Sequence, residues 1–288
     1  MKQVHLTRRT FVISSLAASA QFVAFAQPSS KPRIGCQTNG WVVPGNSFEG
    51  LLSVLKQARA TGYDGFECNV RFVRSEFPNA AEARKRINDT GMFFIGIHTN
   101  FSDDIKPDFA EVARGAGQMG AHHVVMSDKG LSPDGKFTPE ALHAKVAQLE
   151  AIGKVCNVNG MRLAYHNHRD EFANGNAEIN SLAANSNPEL LHFLIDAGHA
   201  YQGGGDPAAF MLQYSQRVVG CHVKTFAQDN ITQVPLGQGR FGFEDLAAAV
   251  RKTHWTGWLM DEEGGGTKIG DTGAVATDRE YFRKIFGV

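Results

Sequence analysis

The chain has 288 residues, 29 basic against 29 acidic side chains and a formal net charge of zero. That balance gives no electrostatic pull toward nucleic acid or an anionic membrane surface. It leaves a small polar molecule as the expected partner, with self-association into a homo-oligomer as an alternative to a monomer. Four cysteines, Cys36, Cys68, Cys156 and Cys221, stand in apolar segments without C-x-x-C spacing. They read as buried thiols, with a Cys36 to Cys68 disulfide across neighbouring strands as the alternative.

Residues 1–26 read as an export signal. Arg8 and Arg9 form a twin arginine, an apolar run of small residues follows, and Ala24-Phe25-Ala26 supplies an A-x-A cleavage site before Gln27. The run from Phe11 to Ala26 is short and broken by Ser14, Ser15, Ser19 and Gln21, so no stable membrane anchor is expected. Twin-arginine signals serve proteins exported already folded, which agrees with a cofactor loaded in the cytoplasm and predicts a periplasmic location. Residues 27–288 then form one domain, because the 262 residues left suit a single large barrel and no linker or composition break divides them.

Short apolar runs alternate with helical periodicity from there on. Candidate strands follow at Arg33–Thr38, Gly65–Asn69, Phe93–His98, His123–Ser127, Arg162–His166, Phe193–Asp196, Val218–Val223 and Trp258–Glu262. Phe48, Leu51, Leu52, Leu55 and Ala58 make an i, i+3, i+4, i+7 stripe of the kind that covers a sheet. Thr138-Pro139 and Asp206-Pro207 place a capping oxygen before a first-turn proline, and Thr277 with Glu280 spells a capping box. Eight strand-helix units in about 255 residues predict a (β/α)8 TIM barrel, with a doubly wound open sheet as the competing fold. Gly237-Gln-Gly239-Arg-Phe-Gly242 matches G-x-G-x-x-G, yet it lies late in the chain, behind no clear strand. It reads as a glycine-flexible loop over the barrel mouth.

In a barrel of this kind the chemistry sits at the C-terminal strand ends. His166, Asp196, His222 and Glu262, spaced 30, 26 and 40 residues apart, each end such an apolar run. One His, one Asp, one His and one Glu are a mixed nitrogen and oxygen set suited to one divalent ion, Mn, Co, Zn or Mg, with Mn favoured. The bland alternatives are a helix-capping Asp196, a core His222 and a solvated pair of acids at Glu262 and Glu263. Glu262 is preferred as the ligand because it shares a strand face with Trp258 and Met260, with Glu263 as the fallback. Lys224 shares a face with His222 and offers a cation to a substrate oxygen. Glu67, His98, His168 and His199 are further candidates for binding substrate. Glu171, five residues beyond His166, is a candidate acid or base returning from the following loop.

These strings together, D-x-G-H at Asp196 to His199, H-V-K at His222 to Lys224, G-x-G at Gly237 to Gly239 and G-W-L-x-x-E ending at Glu262, resemble the sugar phosphate isomerase/epimerase family. The resemblance covers nearly everything after the signal. It implies a xylose-isomerase-like barrel related to the tagatose and psicose 3-epimerases and the inosose dehydratases. In that family a metal is typically held by Glu, Asp, His and Glu, which corresponds here to His166, Asp196, His222 and Glu262. The departure is His166, inside Y-H-N-H, where the epimerases commonly carry a glutamate that pairs with the last one as a second base. The resemblance implies a metal-dependent sugar isomerase or epimerase, Glu262 being the base and His166, His168 or Glu171 acting opposite it. The alternatives are a lyase, dehydratase or hydratase on keto-sugars or 3-keto-glycosides, and a non-catalytic sugar-binding barrel. The related barrel endonucleases fit poorly, given the neutral charge.

Overall fold

A computed structural model describes residues 31–100, 108–262 and 272–288. The export signal, Glu263 and the glycines Gly264 to Gly266 lie outside the described residues. Eight parallel strands close into a barrel: β1 (Arg33–Gln37), β2 (Gly65–Asn69), β3 (Phe93–Asn100), β4 (His123–Ser127), β5 (Arg162–His166), β6 (His192–Asp196), β7 (Val218–Val223) and, after a two-stranded excursion, β10 (Trp258–Asp261). The barrel closes through β1, which pairs with β10 and β2. The excursion is an antiparallel hairpin of β8 (Thr225–Phe226) and β9 (Gln233–Val234), absent from the sequence reading because two-residue strands carry no periodicity.

Helices α1 (Phe48–Thr61), α2 (Ala80–Asn88), α3 (Phe109–Gln118), α4 (Pro139–Val158), α5 (Ala173–Asn185), α6 (Ala197–Gln202), α7 (Pro207–Tyr214), α8 (Glu244–Lys252) and α9 (Thr272–Phe286) follow the strands. The predicted stripe of α1 is buried throughout. Thr138 and Asp206 cap α4 and α7 as their sequences predict, accepting from Ala141 N at 3.2 Å and Ala209 N at 2.9 Å. The capping box at Thr277 does not start a helix, since Thr277 lies within α9. A Ser/Thr-x-x-Glu spacing also occurs inside helices, where the first residue faces a completed turn.

Alternation along each strand separates two cores. Ile95, Val125, Ala164, Leu194, Trp258 and Met260 form a compact cluster of their own inside the barrel, and the larger cluster fills the layer between strands and helices. All four cysteines are buried and free, so the thiol reading holds and the Cys36 to Cys68 disulfide does not form. The glycine loop after β9 is pinned rather than loose: Leu236 N donates to Asp278 Oδ1 at 2.6 Å and Arg240 N to Phe226 O at 2.8 Å. Among the described residues no helix is long and apolar enough to cross a membrane.

Candidate metal centre

Two residues beyond the inner core, on the same strand faces, stand the polar residues that the spacing predicts. His166 follows Ala164, Asp196 follows Leu194, Glu262 follows Met260, and His222 pairs in register with both Asp196 and Met260. The quartet is therefore the next layer up inside the barrel. Each of the four offers one ligand atom, these atoms all lie within 4.8 Å of one another, and all four residues are buried. Asp196 does both jobs that the sequence left open. Its Oδ1 caps α6 by accepting from His199 N at 2.8 Å, while Oδ2 turns to the quartet and comes within 3.3 Å of His166 Nε2.

His222 is held from both sides. Its Nδ1 lies 2.9 Å from Glu262 Oε2 and its Nε2 lies 2.8 Å from Glu67 Oε2. Burial disfavours a charged ring here, but the two carboxylates outweigh it and push the His222 pKa up to about 10. Lys224 Nζ donates to Glu262 Oε2 at 2.9 Å and forms an ion pair with Asp196 Oδ2 at 2.6 Å, without hydrogen-bond alignment to the latter. Burial works against the charge of Lys224 too, and Asp196 and Glu262 override it, so its pKa is raised. Reciprocally, burial alone would raise Asp196 and Glu262; Lys224 and His199 hold the first below the usual carboxylate range, and Lys224 and His222 hold the second there.

A divalent cation fits this donor set. Among the described residues, His166 Nδ1 is shielded from solvent and makes no hydrogen bond, and His166 Nε2 faces Asp196 Oδ2 at 3.3 Å without one, although Lys224 ion-pairs with that oxygen. Buried polar atoms left in that condition are costly, and a cation is the partner that imidazole and carboxylate lone pairs share. The ring nitrogen of His222 beside Glu262 is Nδ1, so Nε2–H would donate to Glu67 and leave Nδ1 as the ligand.

The remaining candidates divide. His98 is buried with its ring centroid 5.2 Å from that of His166, and His168 stands 5.4 Å from His166 and 5.1 Å from His199, so these three histidines do surround the quartet. Burial, then the neighbouring rings, lowers His98 and His168; burial also lowers His199, to about 4. Glu67 reaches the site but through His222, and it has room because Gly96 opposite has no side chain: a Cβ there would lie 2.8 Å from Glu67 Oε1. Glu171 does not come back to the mouth. Tyr165 OH donates to its Oε1 at 2.6 Å and His168 N to its Oε2 at 3.1 Å, so both oxygens are taken, next to Lys145 on α4. Tyr165 belongs to the outer core, which places that contact behind β5.

Two residues escaped the sequence reading. Asn167 clamps the backbone of Asp196, donating to its carbonyl at 3.0 Å and accepting from its N–H at 2.9 Å. Gln37, fully buried at the end of β1 beside Glu67, has a side-chain nitrogen without a hydrogen bond. A single amide at a strand end carries no spacing signal, and only the position of Asn167 between two histidines hinted at a role. A cavity of about 900 Å³ opens next to the quartet, lined in part by Ser127, Lys129, His168, Arg169, His199 and Gln202. It is large enough for a carbohydrate.

The chain is similar in sequence or in fold to several known proteins. Inosose dehydratase 1 from Bacillus cereus is 23% identical over 248 residues, covering 76% of this chain and 82% of the relative. The structure of an L-ribulose 3-epimerase superimposes with a TM-score of 0.70 at 16% identity, covering 89% of this chain and 95% of that one. The IolI protein, whose crystal structure holds a zinc atom, superimposes with a TM-score of 0.71 at 12% identity over 88% of this chain and 98% of its own. Residues 55–285 match the family described as the xylose isomerase-like TIM barrel, and the chain belongs to that family.

Proposed function

We propose that this protein is a metal-dependent enzyme that removes a proton next to a carbonyl of a carbohydrate or keto-sugar. Of the two reaction branches, we infer elimination, as in a dehydratase or related lyase. The observation that carries this reading is that, among the described residues, Glu262 is the one carboxylate at the two positions where the epimerases carry bases. Glu262 stands in the quartet, its counterpart position is His166, and Glu171 is held behind β5 by Tyr165 and the His168 N–H. One carboxylate suits removal of one proton followed by loss of a β-substituent, and the likeness to inosose dehydratases supports the same branch.

His166, Asp196, His222 and Glu262 would hold the ion, which supplies Lewis-acid polarisation of a substrate oxygen when bound. The zinc in the IolI protein supports a divalent ion without choosing among Mn, Co, Zn and Mg. Glu262, held well below the usual carboxylate range by Lys224 and His222 against the effect of burial, is ionised at neutral pH, the form in which a carboxylate can take a proton. Lys224 brings a positive charge to the same edge, where negative charge develops on the substrate oxygen. Isomerisation or epimerisation is the second reading. His98 and His168, both kept neutral by burial, give it support as imidazoles able to exchange a proton across from Glu262.

Incubation of metal-loaded protein with a panel of keto-sugars and 3-keto-glycosides in deuterium oxide separates these readings. Loss of water or an aglycone supports elimination, deuterium uptake into intact sugar supports isomerisation, and neither outcome with any substrate points to a binding barrel. We also propose export through the twin-arginine route, on the strength of Arg8 and Arg9. Replacing both with lysine is expected to hold precursor in the cytoplasm, and normal periplasmic delivery of that variant rejects the route.

A further inference from the structure

The ammonium of Lys224 stands among the oxygens that the quartet offers to an ion. Its Nζ lies 2.9 Å from Glu262 Oε2 and 2.6 Å from Asp196 Oδ2. Those are the oxygens that face His166 Nε2, at 3.8 Å and 3.3 Å. The position is built into the fold. Lys224 follows β7 two residues after His222, keeps the inward face, and is only 6% exposed.

Gly198 makes the room. A Cβ at Gly198 would stand 2.6 Å from Lys224 Cγ and 2.3 Å from Lys224 O, so the glycine of D-x-G-H admits the lysine of H-V-K. Asp196 and Glu262 are both buried, as is Glu67 behind His222, and such a group of acids needs an internal positive charge to remain ionised together. Lys224 and His222 are the cations that contact them.

We propose that Lys224 competes with the divalent ion for Asp196 Oδ2 and Glu262 Oε2, and so holds the ion's affinity down and keeps it exchangeable. The inference rests on the metal reading above. A positive charge touching two of the four ligand residues opposes a second, doubly charged cation drawn to the same oxygens. Without the ion, the same charge holds the two carboxylates together in the fold.

The test is calorimetric titration of chelator-treated full chain with Mn²⁺, comparing wild type with Lys224→Met and Lys224→Arg. The Met variant is expected to bind Mn²⁺ at least ten-fold more tightly, while the Arg variant, which keeps the charge, binds no more tightly than wild type. Melting provides a second readout: the Met variant melts lower before Mn²⁺ is added and gains more from it than wild type does. Lys224→Gln replaces Lys224→Met if the latter is insoluble. Equal or weaker Mn²⁺ binding by the uncharged variant overturns the competition while leaving the metal reading intact. Absence of binding by wild type and variants alike, with Mn²⁺ and with Zn²⁺, removes the metal reading and the inference with it.

Discussion

His222 Nε2 lies 2.8 Å from Glu67 Oε2, so a carboxylate on β2 sets the tilt and proton position of a ring on β7, across the width of the barrel. Partners of this kind typically change metal affinity by about 10–100-fold when removed. Glu67→Gln is therefore expected to weaken binding of the divalent ion by roughly that factor while the barrel stays folded. Calorimetry with circular dichroism on the same sample checks both halves, and unchanged affinity would return Glu67 to the substrate-binding role first assigned to it.

Glu262 is asked to ligate and to accept a proton. Glu262→Gln keeps an amide oxygen for the ion but removes the base, so turnover is expected to drop by about 10²–10⁴-fold, with substrate affinity changing less. Deuterium exchange measured beside metal content tests this. Near-normal exchange in a metal-bearing variant moves the base to His98 or His168.

Glu171 is expected to act through position alone. Tyr165→Phe removes the hydroxyl that satisfies its Oε1 and leaves a buried carboxylate oxygen short of a donor, a cost of about 1–3 kcal/mol. The variant should melt lower while retaining far more exchange activity than Glu262→Gln. A loss of exchange as deep as that of Glu262→Gln, in a protein that still binds metal, makes Glu171 part of the chemistry after all.

The pH dependence has a definite sign. His222 is raised from the usual 6.5 to about 10 by Glu262 and Glu67 against the opposing effect of burial, so it is protonated at neutral pH, whereas a metal ligand must be neutral. Binding of the ion should release a proton and tighten as pH rises, by up to about ten-fold per pH unit below that value. In chelator-treated protein the stability from this raised pKa is fully present below 6.5 and is lost as pH climbs toward about 10. Calorimetry in buffers of different ionisation enthalpy counts the released proton, and affinity independent of pH contradicts the assignment.

Most of the site was legible in the sequence because an inward strand face repeats every second residue. Trp258, Met260 and Glu262 announce one another, as do His222 and Lys224, and the four ligand positions follow once the barrel is assumed. Glu171 was misplaced for a reason of the same kind. A distance of five residues from His166 does not say on which side of β5 the chain passes, and Tyr165, facing outward, takes the carboxylate. The role of Glu67 was hidden because its partner is 155 residues away. The start of α9 was misjudged because Thr277 and Glu280 satisfy a local rule that the helix had already outrun.

The four ligands come from β5, β6, β7 and the end of β10, a contiguous run of strands in the later part of the chain. Among the described residues, the strands before them contribute Gln37, Glu67 and His98 to the rim; Glu67 pairs with His222, and His98 meets His166 edge-on. The barrel thus divides its labour along its length. Substitutions at the tips of β1, β3 and β4 can remodel the rim, while Asp196, His222, Lys224 and Glu262 form one cluster whose charges answer to one another. A change in that cluster has no such freedom, because each of its four members contacts at least two other ionisable groups.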